Sequence, residues 1–171
     1  MLYICIMPKK IQLLDAQQAD QRLTRLAYEI YENNIDEKEI VLIGIIDRGE
    51  DLSKILKKKI EAISSLEIKL VSLKLDKDNP VNAAFVKDFD PTNKSIILVD
   101  DVANSGKTMM YALKPFMHSI AKKVQIAVLI DRQHKRFPIS SDYIGLQLST
   151  TVQDHITVEI EKGKIIGAYI E

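Results

Sequence analysis

Hydrophobic positions change their spacing several times along the chain, and each change predicts an element. Ala19, Leu23, Leu26, Ala27 and Ile30 recur at three- and four-residue intervals behind Asp15, whose carboxylate suits a helix N-cap. A helix is therefore expected from Asp15 to about Glu32-Asn33-Asn34. Glu39–Ile46 (EIVLIGII) is almost unbroken apolar sequence rich in β-branched residues, the pattern of a strand covered on both faces. Leu52, Ile55, Leu56 and Ile60 then return to helical spacing within DRGEDLSKILKKKIEAI. Further strands are predicted at Ile68–Leu75, Ser95–Val99 and Val124–Ile130. Between the last two a helix is expected from about Gly106 to Ile120, disturbed near Pro115, whose nitrogen has no proton to donate. Short strands close the sequence at Tyr143–Leu148, Ile156–Glu161 and Lys164–Ile170, the last two as a hairpin about Lys162-Gly163.

Alternating strands and helices imply an α/β fold: a parallel sheet flanked by helices, with a small C-terminal hood of short strands. The sequence contains no repeat, linker or low-complexity tract, so residues 1–171 are expected to form one domain. Asp76–Asn93 (DKDNPVNAAFVKDFDPTN) is polar, carries two prolines and is long for an idle connection, so 76–93 is expected to be a mobile loop. The N-terminal MLYICIMPKK is apolar before it is basic, the reverse of a secretory signal. Residues 1–10 are read as an extension, within which Met7 would itself serve as a start.

Composition narrows the class. A hydrophobic share of 46% and a charged share of 28% over 171 residues are those of a globular chain with a real core. Lys+Arg and Asp+Glu balance at 24 each, which argues against dominant non-specific attraction to nucleic acid or anionic membrane and leaves a local basic patch open. Cys5 is the only cysteine, so no intrachain disulfide forms and a reducing, cytoplasmic setting is expected. No apolar run approaches the ~18 residues of a membrane helix. His118, His134 and His155 are scattered, without zinc-ligand spacing.

The chemistry concentrates in SIILVDDVANSGKT, Ser95 to Thr108. An apolar strand runs into Asp100 and Asp101, then a polar bend, then Gly106-Lys107-Thr108. In open α/β sheets ligands gather where strands end and helices begin. The bend from Asn104 to Thr108 offers backbone amides, the Ser105 and Thr108 hydroxyls, and a glycine that tolerates close approach or positive φ: an anion cradle. Two acids beside it would repel a bare phosphate, but suit a ligand that also brings hydroxyls or a bound metal. On spacing alone the alternative stays open that an aspartate simply caps the next helix. A Walker A loop is excluded, because Asp101 stands where its first glycine belongs.

IILVDDVANSGKT resembles the phosphoribosyl-pyrophosphate signature of the type I phosphoribosyltransferases. LTRLAYEI, LIGIIDRG and VLIDRQHKRFPISSDYIG extend the likeness to the bifunctional pyrimidine operon regulator/uracil phosphoribosyltransferase group, over about Ile11 to Thr150. The resemblance implies a transferase of nucleotide metabolism. It would move ribose 5-phosphate from phosphoribosyl pyrophosphate to a nucleobase, a pyrimidine such as uracil, and release pyrophosphate with Mg2+ as cofactor. Asp100 and Asp101 would bind the ribose hydroxyls and orient the metal, in part through water. Asn104, Ser105, Gly106, Lys107 and Thr108 would hold the 5′-phosphate, and Asp47, Arg48 and Gly49 the pyrophosphate. Asp131, Arg132, Tyr143 and Ile144 would line the base pocket, with Tyr143 and Ile144 in the hood. On position alone Asp131 and Arg132 end a strand, while a tyrosine in an alternating strand is more often a core residue. A homodimer or higher assembly is implied.

Two departures matter. Asn104 stands where 6-oxopurine enzymes of the family carry an aspartate, and an amide has no basic pair, so a pyrimidine or an atypical base is favoured. Segment 76–93 is shorter than its counterpart in the regulator group and lacks a Tyr-Arg pair, leaving Lys77 or Lys87 as substitutes and lost turnover as an alternative. RNA binding, the regulator's other activity, is disfavoured by Ser140 and Leu146 standing where relatives are basic and by the neutral charge balance.

Overall fold

Asp15 opens the first helix as its sequence predicts. In the structure, a computed structural model describing residues 10–76, 78–149 and 155–171, its carboxylate accepts from the Gln18 N–H at 2.7 Å. The Asp15 N–H in turn donates to the Gln18 side-chain oxygen at 3.0 Å, a reciprocal cap. The expected extension over residues 1–10 falls, up to residue 9, outside the described residues, as does Lys77.

The elements in order are β1 (Ile11–Asp15), α1 (Ala16–Glu32), β2 (Glu39–Ile45), α2 (Arg48–Ile63), β3 (Glu67–Lys74), β4 (Ala84–Phe85), β5 (Ser95–Ala103), α3 (Lys107–Ala112), β6 (Lys123–Arg132), β7 (Tyr143–Leu148), β8 (Ile156–Glu161) and β9 (Lys164–Ile170). One sheet has the order β4-β3-β2-β5-β6-β7, parallel except for the two-residue β4. A second, antiparallel sheet has the order β1-β9-β8.

Neighbouring residues of β2, β5 and β6 point to opposite faces of the main sheet and feed two cores. Ile40, Leu42, Ile97, Val99, Ala127 and Leu129 pack with α1, α2 and the inner faces of β8 and β9. Val41, Ile43, Ile96, Leu98 and Val128 pack with Met109, Ala112 and Phe116 on the other side. This double burial is why these strands read as unbroken apolar runs.

Three features differ from the sequence reading. β5 does not stop at Val99 but continues to Ala103, because the ladder to β6 runs on through Asp100↔Val128, Val102↔Ile130 and Ala103↔Asp131. The helix expected to reach Ile120 ends at Ala112 and passes into a 3-10 segment, Lys114–His118. Pro115 cannot donate to the carbonyl four residues back and disfavours helical Lys114, so the break precedes the proline. Tyr143–Leu148 is the parallel edge strand of the main sheet rather than part of the hood, whose third strand is instead the N-terminal β1. Segment 76–93 contains a 3-10 turn, Pro80–Asn82, and β4, held by edge-to-face contacts of Phe85 with Phe89 (5.1 Å) and Phe116 (5.4 Å).

At the start of β2 the Glu39 carboxylate accepts from Lys69 and, at 3.2 Å, from Lys94. The Lys69 hydrogen bond, with help from Lys94, holds its pKa below the ordinary 4.5 against the opposing effect of burial. A depressed carboxylate stabilises the fold above its unfolded pKa and ceases to as pH falls through the folded value. Urea unfolding should therefore find Glu39→Gln less stable than the parent at neutral pH by under ~1 kcal/mol, the usual worth of a partly exposed pair. That difference should vanish once the pH is well below 4.5.

Candidate active site

The parallel order brings two strand ends side by side, since β2 and β5 are neighbours running the same way. β5 delivers Asp100 and Asp101, which are 1% and 4% exposed. The Asp101 N–H donates to Asp100 Oδ1 at 3.0 Å. β2 leads through a cis Ile46–Asp47 peptide into α2, whose first residue is Arg48. Arg48 Nη1 lies 3.6 Å from Asp101 Oδ2, so the guanidinium faces the acids.

Gly49 makes this approach possible. A Cβ there would sit 2.5 Å from the Val99 carbonyl oxygen and 3.1 Å from Asp100 Oδ1. Any larger residue would push the first turn of α2 off the end of β5 and carry Arg48 away from the acids. Asp47 precedes the helix without a side-chain capping bond.

After Ala103 the chain turns through Asn104, Ser105 and Gly106 into α3. Gly106 has φ +83°, a conformation glycine adopts at no steric cost. Ser105 Oγ accepts from the Lys107 N–H at 3.4 Å. α3 has only six residues, so little macrodipole is available, and an anion held there would depend on the local amides of the bend. The Lys107 ammonium donates to the Asp78 carbonyl at 3.0 Å and ties the 76–93 segment to the bend.

These groups enclose a cavity of about 180 Å3 lined by Arg48, Asp100, Asp101, residues 102–109, His155 and Ile156. The last two come from the start of β8, and reciprocal backbone bonds between His155 and Glu171, at 2.9 and 2.8 Å, fix their approach. Nothing in the spacing of His155 pointed to this place, because a separate sheet brings it there.

The expected base-pocket residues do not join that lining. Asp131 is buried, its Oδ1 accepting from Lys135 at 2.7 Å and Ser141 at 2.8 Å, so its carboxylate serves the packing of the loop after β6. Arg132 Nη1 donates to Asn104 Oδ1 at 3.3 Å, which places it against the bend. The Tyr143 ring is in the core beside α1, its hydroxyl donating to Gln125 at 3.0 Å and accepting from Asn34 at 3.4 Å. Burial pushes the Tyr143 hydroxyl pKa up. Ile144 packs against the core on the α3 side. Tyr143 is thus a core residue of an edge strand, and Ile144 a partly buried one packed against the core.

Among the described residues no cluster of three or more His, Cys, Asp or Glu forms a ready-made metal cage, and no helix is long and apolar enough to cross a membrane.

Comparison with known proteins agrees with this architecture. The family model described as phosphoribosyl transferase domain matches residues 11–161. A Bifunctional protein PyrR from Alkaliphilus metalliredigens is 37% identical over 164 residues, covering 90% of each chain. One from Oceanobacillus iheyensis is 34% identical over 169 residues, covering 91% of this chain and 93% of its own. Among solved structures, the hypoxanthine phosphoribosyltransferase of Trypanosoma cruzi superposes with a TM-score of 0.72 over 81% of both chains at 14% identity, a likeness of fold.

The close approach at Gly49 gives a direct test of the geometry. Gly49→Ala should lower unfolding stability by about 1–3 kcal/mol, as overpacking does, measured by denaturant titration. An unchanged stability would mean that α2 is not seated against β5 as described.

Proposed function

The chain belongs to the phosphoribosyl transferase domain family, and we propose that it transfers ribose 5-phosphate from phosphoribosyl pyrophosphate to uracil or a related pyrimidine, releasing pyrophosphate. The observation that carries this reading is one cavity in which an amide-rich bend, two buried acids and an arginine face the same space. A ligand matching all three is an anionic sugar with free hydroxyls and a leaving group of high negative charge.

In this scheme residues 104–108 hold the 5′-phosphate through their amides and the Ser105 and Thr108 hydroxyls. Asp100 and Asp101 accept hydrogen bonds from the ribose hydroxyls and favour positive charge growing on the ring as the bond to pyrophosphate loosens. Arg48, a planar donor suited to phosphate oxygens, sits where it can take up charge on the departing pyrophosphate. The Asp47–Gly49 turn contributes its backbone to the same end. Catalysis is then positioning and electrostatics, without a covalent intermediate.

The donor set fits magnesium. Mg2+ prefers hard oxygens, keeps several waters and is commonly held by one or two carboxylates together with substrate phosphates. Asp100 and Asp101 would hold it in that manner, directly or through water. When bound it would supply charge neutralisation for the diphosphate.

A pyrimidine is supported by Asn104, which lacks a basic pair and whose carbonyl oxygen already accepts from Arg132. The His155–Ile156 pair lines the cavity and Arg132 reaches the bend through Asn104, so these are the candidates for contact with the base. The relatives' printed name describes them as bifunctional, which keeps a second, nucleotide-sensing and RNA-binding role in view. Against it, three of the four lysines of α2 are matched by acids: Lys54 with Glu50 and Asp51, Lys57 with Glu61, Lys59 with Asp20. A mixed surface of this kind supports the enzyme reading.

Pyrophosphate release assayed across a panel of bases should be fastest with uracil or a close pyrimidine. Silence with every base, despite tight binding of phosphoribosyl pyrophosphate, would leave a binding protein in place of an enzyme. The double substitution Asp100→Asn with Asp101→Asn should cut kcat/KM at least ~100-fold. Its melting temperature should hold, because the amides preserve shape. Undiminished turnover would remove both acids from the mechanism.

A further inference from the structure

The outer side of the bend after β5 is gripped by residues 135–139, none of which lines the cavity. Lys135 is the anchor. Its side chain is only 14% exposed, and its ammonium donates to Asp131 Oδ1 at 2.7 Å, the Arg132 carbonyl at 2.8 Å and the Ala103 carbonyl at 3.0 Å. An ammonium has three protons, so its donor capacity is fully engaged. The next two amides, of Arg136 and Phe137, both donate to the Ser105 carbonyl, at 2.9 and 3.0 Å. Behind Gly106 the Phe137 carbonyl oxygen and Ile139 Cβ lie 3.3 and 3.4 Å from where a Cβ would be.

The two carbonyls held in this way alternate along the bend, and their direction has a consequence. Across a trans peptide the C=O and the following N–H point to opposite sides. Fixing the Ala103 oxygen against Lys135 turns the Asn104 N–H away from residues 135–139. Fixing the Ser105 oxygen turns the Gly106 N–H the same way. Two amides therefore face the side of the bend that borders the cavity, the arrangement of an anion-binding nest.

We infer that Lys135 is a positioning residue for phosphate binding: by holding the Ala103 carbonyl it aims the Asn104 amide, and by anchoring 135–139 it keeps the Gly106 amide aimed too. This rests on the reading that residues 104–108 take the 5′-phosphate. Lys135 itself touches no ligand. Burying a lysine is costly unless its charge is paired, and Asp131 meets that need. The bond to Ala103 is additional and joins the ends of β5 and β6 across the Ala103↔Asp131 register.

Titration calorimetry on the full chain, with ribose 5-phosphate and with inorganic pyrophosphate as separate probes, tests the assignment. Lys135→Met should weaken ribose 5-phosphate about 10-fold, the scale of a lost aligned hydrogen bond, and change pyrophosphate less than about 2-fold. Lys135→Arg, which restores a cationic donor, should recover ribose 5-phosphate affinity to within about 3-fold. Ser141→Ala deletes the other side-chain bond to Asp131 and should lower the melting temperature while leaving ribose 5-phosphate affinity unchanged. Should Lys135→Met not fold, Lys135→Gln is measured in its place and must show the same selective loss. Parental ribose 5-phosphate affinity in a folded Lys135→Met or Lys135→Gln protein overturns the inference alone. So does an equal loss of both probes that Ser141→Ala reproduces, since that marks a purely structural role. Failure of the parent protein to bind ribose 5-phosphate at all overturns the proposed function, and this inference with it.

Discussion

Two adjacent carboxylates buried at the end of a strand set the terms for everything around them. Asp100 and Asp101 are 1% and 4% exposed, and charges taken out of water need partners or they neutralise. The fold answers locally. The β5–β6 ladder pairs Asp100 and Val102 on either side of Asp101, the Asp101 amide turns to Asp100, and Arg48 is brought within 3.6 Å of Asp101. That last approach exists only because Gly49 has no side chain to collide with the Val99 carbonyl. A core strand that ended in alanine would need neither the glycine nor the arginine.

Topology then assembles the rest. Parallel pairing of β2 with β5 puts the turn after β2 beside the bend after β5, although more than forty residues separate them in sequence. The loop after β6 reaches back along the outside of the bend and holds alternate carbonyls, so one face of the bend is braced and the other borders the cavity. The antiparallel sheet closes over the top with His155 and Ile156. Its own placement depends on β1, which joins β9 and so brings the two ends of the described chain together.

Much of this was legible before any coordinates, because strands buried on both faces and a capped amphipathic helix write their boundaries into composition. α1, β2 and the β8–β9 hairpin follow their patterns closely. The acids and the glycine bend were also visible, since packing alone gives no reason for two carboxylates behind an apolar run. What escaped is what depends on distant partners. The extension of β5 through its acids is enforced by β6, and hydropathy stops at Val99. β1 shows no period because its register comes from a strand at the other terminus. The resemblance made Tyr143 a pocket residue and position suggested the same for Asp131, yet Gln125, Asn34, Lys135 and Ser141 hold them in the packing. His155 and Lys135 had no local signal at all.

The proposed capture of an anion by the bend can be read directly by following backbone amide resonances while ribose 5-phosphate is added to the labelled protein. Anion capture by the bend requires the Asn104 and Gly106 amide protons to move downfield to saturation, ahead of any others in the chain. Silent amides throughout 104–108, with the perturbed resonances gathered on another surface, would contradict it.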